Sequence, residues 1–532
     1  MKYTKVAAHY DGNQDAFCVS EVSDLETIDA QIDQPEEIFV CGRNLVPISH
    51  PPTKGRDNKY FVIFAIFSFC VLILSNSFSS QQNSGSSFID REQCGSWSSV
   101  LMSSCLVGSL LGIGISYMFS SSLVREFLLV LSVPVSVFLH FSGGCAIVIL
   151  GGDWKYAGVL FLTTACSEFL WSKQAFANTL STSALLGASF DILKIFSPGI
   201  LLFSFGTFAL HSCVIVWLSA IFVNLISEPV SILLILTLLL LFLLFHWVTQ
   251  FLQSLLGFVV GGCVLWHILS DEYIPDEHSS GDHASGSGGN SHHGERTRDG
   301  SGPVSPSARV RRSWETAARV NLYTKCACTT SLGSIAKCAL YCPVSDLIVT
   351  LIHWWTSSSP SGNPLSRCWG RNTTSPLSPH HPWTPILQIC LYRLGRYNRL
   401  AVSVLAVFSK TLCRASDEIA ALPDIDRLSR RDSSGYHHLN YVTTAAAMLV
   451  TALLALLTER KEGSAWPLFI CACYVLVYRC ASLPVHVYQS AVDALLVAYG
   501  LCPMSFLKAF PILYQRFYRI VELAEAAEYE IE

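Results

Sequence analysis

Apolar residues in this chain come in long unbroken runs separated by polar stretches, without the two-residue alternation of strands. The first run, Tyr60–Phe78, follows Lys54, Arg56 and Lys59. A bilayer core about 30 Å thick takes about 20 apolar residues in helical form, so this run reads as a membrane crossing. Similar runs cover 98–119, 126–150, 154–171 and 198–223. The next, 229–268, would be about 60 Å long as a straight helix. Its length predicts strong tilt, a break or two passes. The weak points are His246–Gln250 and the glycines Gly257, Gly261 and Gly262. Further runs cover 329–355, 385–412, 440–458 and 466–500, the last with Pro484 as a kink point. Arg393, Arg396 and Arg399 recur every third residue in the first half of 385–412. That half is expected to lie along the interface, with only the second half entering the membrane.

The expected fold class is all-α, a polytopic integral membrane protein with about ten transmembrane helices and a disordered cytoplasmic tail and insert. Residues 1–59 are polar and proline-rich and form the tail. Residues 60–268 carry six crossings and an amphipathic cytoplasmic segment, 173–196. Residues 269–326 form a low-complexity cytoplasmic insert. Its histidines, His278, His283, His292 and His293, read as solvated residues, so no metal or cofactor is expected. Residues 327–500 supply four more crossings, and 501–532 form a cytoplasmic tail. In this layout 24 Lys and Arg fall on the segments facing one side and 6 on those facing the other. Basic residues mark the cytoplasmic side, so both termini are expected there. The N-terminus has no leader pattern, and the first crossing is expected to act as the insertion signal. Asn372-Thr373-Thr374 is an N-glycosylation acceptor pattern in a loop on the other side.

Composition agrees. The 532 residues are 51% hydrophobic and 14% charged, against about 25% charged in a soluble domain. Membrane lipid is therefore the first partner, and the net charge of -4 gives no sign of nucleic acid. Most of the 20 cysteines sit inside apolar runs, where they act as small hydrophobes. Cys94 and Cys368 lie in loops, and their pairing stays open.

Catalytic patterns are missing from the sequence: GxSxG, HExxH, the P-loop and paired CxxC all fail to appear. No catalytic residue and no enzyme activity are expected. The informative groups are the polar side chains inside apolar runs, each costing several kcal/mol in lipid unless it faces protein or water. They are Glu168, Gln250, Gln253, Lys337, Asp346, Arg479 and Asp493. Each has a second, structural reading. Glu168 lies near a helix end and can snorkel, Asp346 can pair with Lys337, and the glutamines can tie helices together. Asp493 lies well inside the last run, with Gln489 four residues earlier on the same face. Trp247 and Tyr488 are near Gln250 and Asp493 in sequence. A quaternary ammonium is held by aromatic faces, with a carboxylate in support. Trp247, Gln250, Tyr488, Gln489 and Asp493 are therefore the candidate solute-binding residues. Gly257, Gly261, Gly262, Gly333, Ser334 and Pro484 are candidates for helix breaks or close packing.

Four segments carry a resemblance. They are Tyr397-Asn398-Arg399-Leu400-Ala401 running on to Asp417, His246-Trp247-Val248-Thr249-Gln250, Ser331-Leu332-Gly333-Ser334-Ile335, and Ala491-Val492-Asp493 followed by Pro503, Pro511 and Tyr514. In this order they resemble motifs of the choline transporter-like family, above all its fungal pH-nine-sensitive branch. Lys337-Cys338 and Leu501-Cys502 depart from the family pattern. The resemblance implies a ten-helix plasma-membrane transporter of a small cationic solute, choline or a related amine such as ethanolamine. The alternative is a non-transporting membrane scaffold or lipid-contacting protein.

Overall fold

The computed structural model describes residues 57–80, 91–150, 155–177, 179–226, 232–273, 306–357, 397–457 and 466–529. Every regular element among them is a helix. In order these are α1 (Asn58–Ser80), α2 (Arg91–Met118), α3 (Ser122–Leu150), α4 (Lys155–Ala177) and α5 (Thr179–Ile195). Then come α6 (Ser197–Ile226), α7 (Ile232–Tyr273), α8 (Pro306–Cys328), α9 (Leu332–Ser357) and α10 (Ala401–Phe408). The last are α11 (Leu412–Ala420), α12 (Pro423–Leu457), α13 (Trp466–Leu501), α14 (Pro503–Ala509) and α15 (Pro511–Tyr529).

Helices dominate because lipid offers no partner for a backbone N–H or C=O, and a helix satisfies both within one segment. Hydroxyls follow the same rule. Ser75, Thr237, Thr249 and Thr451 each donate to the carbonyl four residues back, at 2.8–2.9 Å. Seven described helices hold a segment long and apolar enough to cross a bilayer. Their outer faces expose Phe69, Leu106, Leu202, Phe242 and Leu456. Such exposure over so many helices fits lipid as the solvent. The chain is an all-α polytopic membrane protein. Of the other expected crossings, 154–171 is α4, with an apolar stretch at Gly158–Leu170, and 329–355 is α9.

Several expectations change. The 229–268 run is one continuous helix, α7, about 63 Å long by its 42 residues. It breaks neither at His246–Gln250 nor at the glycines. Its second half is shielded by protein, with Leu256, Phe258, Val260, Cys263 and Leu265 all buried. The glycines serve packing. Gly257 faces Ser490, Gly261 faces Ser403, and Gly262 faces Ala406 and Tyr323. α13 likewise continues through Pro484.

The 385–412 crossing is described only from 397 onward. There the chain forms α10, eight residues and almost wholly buried, too short to cross. It stops at Ser409, whose backbone is left-handed (φ 49°, ψ 47°), and α11 starts at Leu412. The 173–196 segment is shared between the end of α4 and α5. Helix α8 occupies the last part of 269–326, while His278, His283, His292 and His293 lie outside the described residues. The tail after 501 folds as α14 and α15, with Phe506 and Phe517 buried and stacked at 5.8 Å beside Tyr499.

Two internal ties hold the bundle. Glu168 does not snorkel. Ser136 Oγ lies 2.9 Å from each of its carboxylate oxygens, and His140 Nδ1 lies 3.2 Å away. His140 Nε2 reaches the Tyr474 hydroxyl at 3.0 Å, so α3, α4 and α13 share one network. The second tie is the seam of α2 on α13. A Cβ at Gly108 would lie 2.7 Å from the Val477 carbonyl oxygen, and one at Gly112 would lie 2.5 Å from that of Ala481. Small residues four apart let two helix backbones touch, the main source of helix association in lipid. Gly114, two residues on, faces open space. Gly112→Val is expected to cost about 1–3 kcal/mol by forcing the helices apart. Gly114→Val should stay within about 0.5 kcal/mol of the parent. Thermal unfolding of the two variants in detergent checks the contrast.

Candidate functional site

A cavity of about 210 Å³ lies among α7, α9, α12, α13 and the chain entering α10. Its wall on α13 runs from Tyr478 to Asp493, which by helical rise is about 22 Å of helix. The cavity is therefore long and narrow. α7 contributes Gln250, Gln253 and Gly257, α9 contributes Cys338 and Cys342, and α12 contributes Asn440.

Asp493 sits toward one end, 8% exposed. Its Oδ2 lies 3.5 Å from Arg399 Nε. Local structure places the arginine. The Leu400 N–H donates to Asn398 Oδ1 at 3.0 Å, closing a turn just before α10. α10 then packs closely on α7, because Gly261 leaves room for Ser403. Arg399 is thus aimed inward rather than along the interface, while Arg393 and Arg396 lie outside the described residues. Beside the pair, Gln489 Oε1 accepts from His486 Nδ1 at 3.1 Å, and Gln489 Nε2 is buried without a partner among the described residues.

At the other end stands Arg479. Its Nη2 lies 3.2 Å from His246 Nδ1, and its guanidinium lies 5.7 Å from the centre of the Tyr478 ring. A guanidinium only donates, so His246 Nδ1 accepts and the imidazole is neutral. Between the two ends Gln253 Nε2 donates to Ser482 Oγ at 3.2 Å, and that hydroxyl donates to the Arg479 carbonyl at 2.9 Å.

Of the five residues expected to bind solute, Gln250, Gln489 and Asp493 line the cavity. Trp247 and Tyr488 do not, which corrects the proposed aromatic cage. Trp247 Nε1 donates to the Ala336 carbonyl at 3.3 Å, and its ring packs on Phe64 and Phe67. The Tyr488 hydroxyl donates to the Ser116 carbonyl at 3.1 Å, and its ring stacks on Phe190. Both are helix anchors. The ring on the cavity wall is Tyr478. Asn372 lies outside the described residues, as does the side chain of Asp346. Among the described residues no group of three or more His, Cys, Asp or Glu is placed to hold a metal ion.

Lys337 also finds a partner inside protein. Its Nζ lies 3.0 Å from Cys413 Sγ and 3.8 Å from Asp57 Oδ1, with the Tyr60 and Tyr397 rings at 5.0 and 5.6 Å. Ser334 Oγ donates to Asp57 Oδ2 at 3.0 Å. Gly333 lets the backbone of Asp57 and Asn58 press against α9. Ser334 and Gly333 therefore serve packing between α1 and α9. Removing either charge leaves the other unpaired. Asp57→Asn and Lys337→Met are each expected to destabilise by on the order of 3 kcal/mol. The double variant should cost less than the sum of the two, and a double-mutant cycle of melting temperatures checks it.

A family model described as plasma-membrane choline transporter matches residues 161–503, well over half of the chain. The match takes in α7, α9, α10, α12, α13 and the turn before α10, and so every described residue of the cavity wall. No curated protein matches the chain.

Proposed function

The chain belongs to the plasma-membrane choline transporter family, and on that premise we propose that it carries a small organic cation across the plasma membrane through the α7–α13 cavity. Choline, or a related amine such as ethanolamine, is the solute. Both termini lie in the cytosol. The supporting observation is Asp493, a buried carboxylate on the wall of a polar cavity inside an apolar bundle. A charge in that setting is costly and is kept where it meets an ion.

Arg399 occupies the carboxylate in this conformation. It holds the place that a solute ammonium takes. Arrival of the solute exchanges one cation for another at Asp493, so the carboxylate never stands alone. Arg399 is carried on the turn that leads into α10, a short helix that ends at the left-handed Ser409. Release of the arginine frees α10 to shift against α7, which couples binding to opening. Broken helices lining a cavity play this part in other transporter folds. Gln250 and Gln489 orient the solute from the wall.

Labelled choline uptake into proteoliposomes tests the reading, with ethanolamine as competitor. Asp493→Asn is expected to lower uptake at least tenfold, equivalent to about 1.4 kcal/mol. Uptake no greater than in empty vesicles overturns the transport reading. Normal uptake by Asp493→Asn overturns the role given to the carboxylate. Solute binding without flux points to the scaffold alternative.

A further inference from the structure

Among the described residues the charged groups on the cavity wall are Arg399, Arg479 and Asp493, two positive and one negative. Arg399 and Asp493 neutralise each other. Arg479 has no carboxylate within ion-pair distance among the described residues, and its near neighbours are neutral His246 and the Tyr478 ring. A guanidinium carries five N–H donors in a planar fork. The contact with His246 uses part of that capacity and supplies no counter-charge.

An unpaired guanidinium on a cavity wall inside an apolar bundle is costly. Its need is met by a small anion whose oxygens accept from the guanidinium fork.

The spacing sets the rest. Arg479 and Asp493 are fourteen residues apart on α13, about 21 Å along the helix. They form separate stations of one route. A bare cation entering at Asp493 adds to a wall that already carries one excess positive charge. An anion at Arg479 restores balance.

We infer that Arg479, held by His246 and beside Tyr478, forms an oxyanion station at the end of the cavity away from Asp493, filled by a carboxylate or phosphate that crosses with the cation. The inference rests on the cavity being the solute route. The oxyanion is either a free ion or a group on the solute itself. In both cases the recognising chemistry is a fork of N–H donors on paired oxygens.

Thermal stabilisation of the purified full-length protein separates the cases at fixed pH and ionic strength. The probes are choline, inorganic phosphate, acetate and phosphocholine. Wild-type protein is expected to be stabilised by at least one oxyanion probe. Arg479→Gln should weaken that probe at least tenfold more than it weakens choline, and Arg479→Lys, which keeps the charge, should weaken it less. Stabilisation by phosphate or acetate alone identifies a free ion as the occupant. Stabilisation by phosphocholine only places the oxyanion on the solute. If choline stabilises the protein and no oxyanion probe does so through Arg479, the station is refuted and the transport reading stands. If no probe binds, choline included, both readings fall together.

Discussion

In a bilayer, a polar group that finds no partner inside the protein has no partner at all. This constraint accounts for the architecture and for the site. It makes the chain helical and turns serine and threonine hydroxyls back onto their own helices. It also decides where charge can sit. Glu168 is gathered by Ser136 and His140, Lys337 by Asp57 and Cys413, and Asp493 by Arg399. Each arrangement joins two or more helices, so the groups that cost most in lipid also hold the bundle together. Where small residues remove side chains altogether, as at Gly108 and Gly112, backbones meet and dispersion takes over as the adhesive.

The crossings were legible because run length maps directly onto bilayer thickness. Seven of the ten runs agree closely with helices among the described residues that are long and apolar enough to span. Length left α7 open between a tilted pass, a break and two passes, and the run proves to be one continuous helix whose second half is wrapped by protein. In the described part of 385–412 apolar residues mark a short helix buried in protein, and Ser409 adopts a left-handed backbone that its residue type does not announce. Glu168, Lys337 and Asp493 stood out as polar residues in apolar surroundings, but their partners are distant in sequence and only the fold brings them together.

Part of the cavity wall was legible by the same rule. Gln250, Gln489 and Asp493 do line the cavity. Trp247 and Tyr488 are close in sequence to Gln250 and Asp493 but off the cavity wall: the Trp247 ring packs on Phe64 and Phe67, and helical geometry turns Tyr488 away. At about 100° per residue, Tyr488 lies about 140° around α13 from Asp493, on another face. Arg399 was hidden for a different reason. Its spacing from Arg393 and Arg396 suggested a basic stripe, whereas the Asn398 turn swings it inward onto Asp493. Charge patterning describes a continuous helix, and here the chain is turning.

The cavity unites these features, since its wall is formed by the helices whose polar groups are not all satisfied among themselves. The decisive measurement is water access to that wall. Asn440→Cys places a thiol on it. In sealed vesicles, a membrane-impermeant cationic thiol reagent should modify Cys at 440 and be slowed by excess choline, while native Cys263, fully buried, stays unmodified in peptide mass spectra. Labelling at 440 as slow as at Cys263, or unaffected by choline, would contradict a solvated solute route between α7 and α13.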